Sequence, residues 1–420
     1  MTVVSATKSL IVLGLAALAI YLAAQLWFVN ITDRSFLPYL QARFSQTVSD
    51  GGADFVRPFR IIYGAGDGYF DIQYSNIANS DTWNYGRAVI AAALSSASFV
   101  GTHDTSMAHI LSQPVFIYQY AFYMDSVVLS QAFNQREGTT LTGRGLYNIR
   151  AVAVRPPYNG RTAINVFFIG DTQVLEFSLA IDARQREDFG VTVPSAVSSR
   201  RRFAHSGDAL VFVPRFHRNF VYNPVRVTNP YNNHAGLLHL AFIRSQMEHF
   251  FDNPATINHG LTNFVYTFSN LNTVVRYLPG NVVEYTSFRT IGRASPTTFL
   301  EDFSAALAFV EADPHVNIEF FLARYEMQGR ETVFWFDYAI GNFPLIMAEP
   351  WPTHPDCLSP LTHAIEVTVD NGRVVRYRRL AYNFALDTNA ITRPDWAISM
   401  GDAPLGFFIS AESHIRLEAM

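Results

Sequence analysis

The sequence predicts an α+β fold in which a single transmembrane helix precedes about three modules, each of antiparallel sheet and helix. Three observations lead to this fold class. Residues 9–29 form an uncharged, apolar run. After it, short segments rich in aromatic and β-branched residues recur between Pro, Gly or Asn, which is typical of strands. Other segments repeat their apolar residues with the period of an amphipathic helix.

The apolar run has 21 residues. As a helix it would rise about 31 Å, against a hydrocarbon core of ~30 Å. Cleavage as a secretory signal near residues 17–19, Ala-Leu-Ala, is the alternative. We favour a retained anchor, because cleavage there would leave the apolar residues 20–29 as the new terminus. Lys8 precedes the run, which predicts a cytoplasmic amino terminus, with the bulk of the chain extracytoplasmic in the cell envelope.

Small residues line one face of the predicted span. Ala16, Ala19 and Ala23 share this face, and small residues let transmembrane helices approach closely. Gln25 lies about half a turn further on and could donate a hydrogen bond to a partner helix. These four residues are the predicted transmembrane partner contact. The alternative is that alanine is simply common in such segments and Gln25 reaches the interface.

Composition excludes several protein classes. The chain is 49% hydrophobic and 14% aromatic, enough to fill sizeable cores, so it is not disordered. A net charge of -4 gives no global attraction to nucleic acid. Cys357 is the sole cysteine, which excludes a disulfide framework and a zinc site built on several cysteines. Lys8 is the sole lysine, a bias toward arginine that we interpret as genome composition.

A polar, arginine-rich stretch at 182–208 marks the first domain boundary. The predicted division is a cytoplasmic stub and transmembrane anchor at 1–30, a juxtamembrane helix and linker at 31–54, an N-terminal α+β domain at 55–190, a central α+β domain at 205–292 and a C-terminal domain at 294–420.

Local signals place the elements. The glycine-rich segment 59–75 and Asp370-Asn371-Gly372 each predict a hairpin turn. Asp81 predicts the start of a helix to about Phe99, a second helix is predicted over about 234–251, and Ser295-Pro296 predicts the start of a third, ending at Ala312. Strands are predicted near 115–124, 147–154, 163–169, 172–181, 263–268, 273–278, 282–287, 317–325, 331–340, 363–370 and 373–380.

The chain lacks the GxSxG, HExxH, Walker and GxGxxG motifs. Three weaker constellations have ordinary structural explanations: chance proximity, an unliganded loop and carboxylates at strand edges. They are His103-Asp104 with Ser106; His354, Cys357 and His363; and Glu326, Glu331 and Asp337. The aromatic residues of 320–336 could line a groove, but core filling explains most of them. We predict no catalytic residue, no cofactor and no metal site.

The order of these features resembles the YycH family. The segment ending QLWF at 25–28, the strand-rich segment 59–75 and the helix containing Trp83 are similar to that family's opening. Its central passage resembles HFFDNPATINHGLTNFVYTFSNLNTVVRYLPGNVVEY at 249–285. The segment from YEMQGRETVFWFDYAIGNFPLI to the strand ending at Leu380, over 325–380, is similar to the PepSY-like domain that YycH shares with YycI.

The family consists of membrane-anchored accessory proteins of the WalK/WalR cell-wall two-component system of Gram-positive bacteria. The resemblance implies a non-enzymatic, single-pass regulator of a sensor histidine kinase, acting in signal transduction with a YycI-like partner. Two other functions remain open: an extracytoplasmic ligand-binding or envelope-assembly protein that uses an aromatic groove, and an envelope hydrolase whose residues assemble only in three dimensions.

Overall fold

A computed structural model describes a large part of the chain, from residue 55 onward. The described residues are 55–74, 76–133, 139–157, 162–180, 203–205, 210, 212–214, 225–231, 240–288, 297–340, 343–347, 360–387, 405–409 and 415–419. Within them no helix is long and apolar enough to cross a membrane. The predicted span at 9–29 lies outside the described residues.

The first sheet has nine strands in the order β3-β7-β6-β5-β4-β1-β2-β8-β9, and every neighbouring pair is antiparallel. The strands are β1 Arg60–Ala65, β2 Tyr69–Gln73, β3 Ser98–His103, β4 Pro114–Asp125, β5 Asn148–Arg155, β6 Ala163–Ile169, β7 Val174–Ala180, β8 Phe203–His205 and β9 Phe212–Pro214.

This sheet is buried on both faces because its strands alternate between two apolar cores. In β4, Phe116 and Tyr118 belong to one core, whereas Val115 and Ile117 belong to the other. The same alternation recurs in β1, β5, β6 and β7. It follows from the two-residue repeat of a strand, which sends successive side chains to opposite faces.

Short helices cover the two faces. They are α1 Asp81–Ser96, α2 Ala108–Leu111, α3 Ser126–Ala132 and α4 Thr139–Thr142. Trp83 and Ile90 of α1 pack into the larger core, and Ile110 of α2 packs into the smaller one. Helix α1 begins at Asp81 as predicted, but its N-cap is Ser80 and not Asp81. Its predicted end is wrong, because residues from Ser98 onward pair with β7 as an edge strand.

The second sheet has eleven strands, of which β14 and β19 are central neighbours. They are β11 Asn258–Thr262, β12 Val265–Ser269, β13 Thr273–Leu278, β14 Val282–Ser287, β15 Glu319–Gln328, β16 Glu331–Ile340, β17 Phe343–Met347, β18 Ile365–Asp370, β19 Arg373–Leu380, β21 Leu405–Ile409 and β22 Ile415–Ala419. The pair β17–β21 is parallel, whereas the other pairs are antiparallel. Strands β10 Val225–Thr228 and β20 Asn383–Leu386 form a separate two-stranded sheet.

Two helices belong to this part of the chain. Helix α5, Leu240–Met247, continues into a 3₁₀ turn at Glu248–Phe250. Helix α6, Phe299–Ala312, packs on β16, β18 and β19. The predicted start of α6 at Ser295-Pro296 is wrong. Its N-cap is Thr298, which exchanges hydrogen bonds with Glu301 in a capping box and so satisfies the free backbone donors of the first turn.

The sequence located most strands correctly. The hairpin β18–β19 turns at Asn371 and Gly372, whose φ values of 52° and 71° are those of the predicted type I′ turn. The hairpin β1–β2 is confirmed as well. The observed architecture is α+β with predominantly antiparallel sheets. Strand β14 belongs to the predicted central domain and β19 to the predicted C-terminal domain, and the two strands pair with each other. Strands β8 and β9 extend the first sheet beyond residue 190, the predicted end of the N-terminal domain. The division into modules stays a prediction.

One glycine of α1 is required by packing. A Cβ at Gly86 would lie 2.1 Å from Cζ of Tyr118. That ring is fully buried, and its hydroxyl donates a 2.9 Å hydrogen bond to the carbonyl of Thr82, so it has little room to move. The glycine lets helix and sheet approach closely.

We therefore expect Gly86→Ala to destabilise the protein, although helix propensity alone favours alanine by ~1 kcal/mol. Overpacking costs ~1–3 kcal/mol, which leaves a net loss of up to about 2 kcal/mol. Urea unfolding measures this free energy. Gly101→Ala is the matched control, because a Cβ there meets no atom within 4 Å. Equal unfolding midpoints for the two variants would contradict the packing argument.

Candidate functional site

The carboxylate of Asp313, the residue that caps the C-terminus of α6, is completely buried. Its Oδ2 accepts hydrogen bonds from Nε of Arg379 at 2.6 Å and from the hydroxyl of Tyr377 at 3.0 Å. Its Oδ1 accepts the backbone N–H of His315 at 2.9 Å. Burial is the largest single effect and opposes the charge of the carboxylate, but Arg379, His249 and the backbone N–H of His315 together outweigh it and lower the pKa of Asp313.

The guanidinium of Arg379 is also completely buried and extends the cluster. Its Nη2 donates a 2.6 Å hydrogen bond to the hydroxyl of Tyr231, which lies just after β10. Burial raises the pKa of Tyr231 to about 12, so this phenol is neutral at physiological pH. The ion pair therefore connects α6, β19 and the segment after β10 in one interior cluster.

Two histidines flank this ion pair. Nε2 of His249 lies 3.6 Å from Oδ1 of Asp313, and the ring centroids of His249 and His315 are 5.8 Å apart. Burial lowers the pKa of His249 to about 4, against the opposing attraction of Asp313. Burial and the positive charge of Arg379 lower the pKa of His315. Both rings are therefore neutral at pH 7, and the net charge of the cluster is zero.

A second polar cluster lies at an edge of the first sheet around Glu176 of β7. Oε2 of Glu176 lies 2.7 Å from Nε2 of His103, and Oε1 accepts a hydrogen bond from the amide of Asn165. The ring centroids of His103 and His109 are 4.7 Å apart. Burial first, and then the charge of His103, lowers the pKa of His109. The side chain of His103 is 34% exposed, whereas that of Glu176 is 12% exposed.

The sequence constellation His103-Asp104 with Ser106 does not form a linked set. Asp104 accepts the backbone N–H of Ser106 at 3.1 Å, which is a local turn. The carboxylate partner of His103 is instead Glu176, which comes from another strand of the sheet. Sequence reasoning missed Glu176, because strand pairing and not sequence proximity brings it to His103.

A third cluster involves His363, which the sequence grouped with His354 and Cys357. Nδ1 of His363 lies 2.9 Å from Oδ2 of Asp337. Oδ1 of Asp337 accepts the backbone N–H of Ala364 at 3.1 Å. Residues 354 and 357 lie outside the described residues. Within the described part of the chain, no group of three or more His, Cys, Asp or Glu side chains is arranged to hold a metal ion.

The carboxylates of the β15–β16 hairpin lie at different positions along it. Glu331 is opposite Gln328 at the turn, and Glu326 is opposite Val333, two residues further along. Asp337 lies four residues beyond Val333 in β16, which separates these two positions by about 13 Å along the strand. Glu326 pairs with Arg324 at 3.0 Å. The hairpin therefore does not gather the three carboxylates into one acid–base site.

The first described residues lie where the two large sheets meet. The ring of Phe55 is 1% exposed and makes edge contacts with Phe299 and Phe303 of α6, with centroids 5.1 Å apart in each case. It also contacts Phe122 of β4 and Tyr325 of β15. We call these five aromatic residues the seam cluster. Phe55 directly follows the predicted linker at 31–54.

Backbone contacts reinforce the junction of the two sheets. Nη2 of Arg57 donates a 3.4 Å hydrogen bond to the carbonyl of Phe320 in β15. The carboxylate of Glu319 accepts the backbone N–H groups of Asn76 and Ile77, which follow β2. The predicted transmembrane contact residues Ala16, Ala19, Ala23 and Gln25 lie outside the described residues.

The strands and helices define an α+β protein dominated by antiparallel sheets. No protein-family model and no curated protein matches the chain. Among solved structures, the chain is similar to the crystal structure of YycH from Bacillus subtilis. The two are 10% identical with a TM-score of 0.48, and the alignment covers 87% of this chain and 93% of that one.

Breaking the buried ion pair should cost much stability. We expect Arg379→Met to lower the free energy of unfolding by ~3–5 kcal/mol, because it leaves the carboxylate of Asp313 buried without its counter-charge. Denaturant unfolding measures the effect. Adding Asp313→Asn to this variant should recover part of the loss, since no buried charge then remains. If the double variant is less stable than the single one, the loss does not arise from uncompensated charge.

Stability should also fall in mild acid. The native pKa of His249 lies below that of the unfolded chain, so between pH 6.5 and about 4 the unfolded chain binds a proton that the native state does not. The free energy of unfolding therefore decreases as pH falls through this window, by on the order of 3 kcal/mol from this residue.

The measurement is denaturant unfolding between pH 7 and pH 4. We expect His249→Gln to reduce the pH dependence and His315 to account for part of what remains, because its pKa is lowered too. His259→Gln is the control, since His259 is exposed on β11. An unchanged pH dependence in His249→Gln would show that the buried ring does not control acid sensitivity.

Proposed function

We propose that the chain is a membrane-anchored extracytoplasmic regulator, one that modulates a cell-wall sensor histidine kinase by protein–protein contacts. A YycI-like protein would be its second partner. The proposal rests on the resemblance of the sequence to the YycH family and on the predicted span at 9–29. In this proposal the amino terminus is cytoplasmic and the sheets lie outside the membrane.

The observation that best supports this role is the seam cluster. The predicted span connects to the body through residues 30–54, and the first residue after them, Phe55, is packed against both sheets. A contact made by the span would therefore act where the two sheets meet, and not on a surface loop. This is the connection that a protein needs if it couples a helix in the membrane to a body outside it.

We also propose that the protein is not an enzyme. The buried carboxylates are used in internal interactions: Asp313 with Arg379, Glu176 with His103 and Asn165, and Asp337 with His363. Carboxylates engaged in this way stabilise a fold. Catalytic acids and bases need instead to face a substrate.

The test of partnership is purification of the full-length protein from native membranes, with identification of the co-purified proteins by mass spectrometry. We expect a sensor histidine kinase and a YycI-like protein. Recovery of neither would reject the proposal. Recovery of envelope-assembly components in their place would favour that alternative function.

The alanine face of the span gives a sharper version of this experiment. Replacing Ala16, Ala19 and Ala23 by Leu should reduce the yield of co-purified kinase by several-fold, because larger side chains prevent close approach of the helices. The control replaces Ala17 and Ala24, which lie on a different face at 3.6 residues per turn. An equal loss in both variants would assign the effect to the span as a whole and not to this face.

A further inference from the structure

Strand β11 forms one edge of the second sheet in the described part of the chain. It pairs with β12 on one side, and all five of its residues, Asn258–Thr262, are exposed. Proteins commonly protect such edges with charged side chains, proline or a bulge. Strand β11 reads NHGLT, so it contains no proline, lysine, arginine or carboxylate, and its pairing with β12 is regular.

The turn that follows β11 carries an unusual residue. Asn263 and Phe264 have φ values of 51° and 65°, which define a two-residue type I′ turn. Glycine is the usual residue at the second position, because a side chain there is strained. The ring of Phe264 is 84% exposed, so packing within the described chain does not offset this strain. Strain kept without compensation points to a contact outside the described residues.

The turn also determines which backbone groups of β11 are available. Thr262 and Val265 flank the turn and are opposite each other, as in a pair that exchanges both backbone hydrogen bonds. Alternate residues of the strand then point their N–H and C=O groups toward β12. The intervening residues, His259 and Leu261, direct theirs to the open side.

We propose that β11 is a self-association surface, on which two copies of the chain pair their β11 strands antiparallel about a twofold axis at Gly260. In this register, N–H and C=O of His259 exchange hydrogen bonds with Leu261 of the second copy, and the reverse pair is equivalent. The same register carries Phe264 toward the exposed turn Pro254–Thr256 of the second copy, where its ring can be covered.

Gly260 fits the position on the axis. Among the described residues of one copy, a Cβ at Gly260 would meet no atom within 4 Å, so packing in this part of the chain does not require glycine there. On the axis, Gly260 of one copy lies opposite Gly260 of the other as a non-hydrogen-bonded pair. The Cα atoms of such a pair are ~4.5 Å apart. Glycine inside a strand often marks such an approach of another backbone, and a cysteine pair also fits there, because ~4.5 Å lies within the Cα range of a disulfide.

A second copy is the occupant that these features favour. Antiparallel pairing requires that the backbone donors of each strand lie opposite the backbone acceptors of the other. Two identical strands related by a twofold axis meet this requirement. Because β11 carries no acidic or basic side chain other than His259, two copies face each other without strong repulsion. Twofold pairing uses both edges at once and closes the assembly. The inference goes beyond the proposed regulatory role and does not depend on it.

Disulfide trapping in the full-length protein tests the register. In a Cys357→Ser background, Gly260→Cys places two thiols on the axis at a Cα separation of ~4.5 Å, within the range for a disulfide. Leu271→Cys is the control, because Leu271 is 97% exposed and lies outside the proposed pairing. Under mild oxidation of freshly lysed cells that express the full-length protein, we expect a cross-linked dimer from Gly260→Cys and little from Leu271→Cys.

Phe264→Gly separates pairing from folding. It relieves the strained turn, so we expect the melting temperature to rise, whereas loss of an aromatic anchor should lower the cross-linked yield of Gly260→Cys by about tenfold. Cross-linking of Leu271→Cys at an equal rate, an unchanged yield after Phe264→Gly, or trapping of a different protein by Gly260→Cys would each overturn the proposal.

Discussion

The buried ion pair between Asp313 and Arg379 is the constraint on which the second sheet and its helix depend. Two opposite charges without solvent contact are best tolerated where their remaining polar atoms find partners. Here Tyr377, Tyr231 and the backbone of His315 supply most of them, and Nη1 of Arg379 is buried without a hydrogen-bond partner among the described residues. The ion pair and its partners come from the end of α6 and the segment after it, the segment after β10, and β19. The pair therefore fixes the relative position of segments far apart in sequence, which a purely apolar core would specify less strictly.

The two large sheets meet through aromatic packing and a few directed hydrogen bonds. Phe55 lies among rings from β4, α6 and β15, so a single side chain near the start of the body contacts both sheets. Glu319 adds hydrogen bonds to backbone after β2. These contacts hold the two sheets together at the point where the described part of the chain begins.

The elements that sequence reasoning located well are those with strong local signals. Asn371-Gly372 specified its turn because few residues other than glycine and asparagine adopt positive φ. Strands β13, β14, β16 and β19 agree with their predicted bounds because each is rich in β-branched or aromatic residues and is bounded by turn residues. Strand β11 was missed because Asn258–Thr262 contains a single β-branched residue, Thr262, and is exposed throughout. The start of α6 was misplaced because two adjacent capping signals competed, and the capping box at Thr298 prevailed.

The sequence by itself determined the class of fold, the apolar segment at 9–29 and the absence of familiar catalytic motifs, because each depends on short-range pattern or composition. Tertiary structure decided the rest. It paired Asp313 with Arg379 and Glu176 with His103, joined β14 to β19 and buried Phe55 at the seam cluster. These contacts link residues tens to hundreds of positions apart. A sequence pattern does not encode them locally, because strand order and long-range packing bring the partners together.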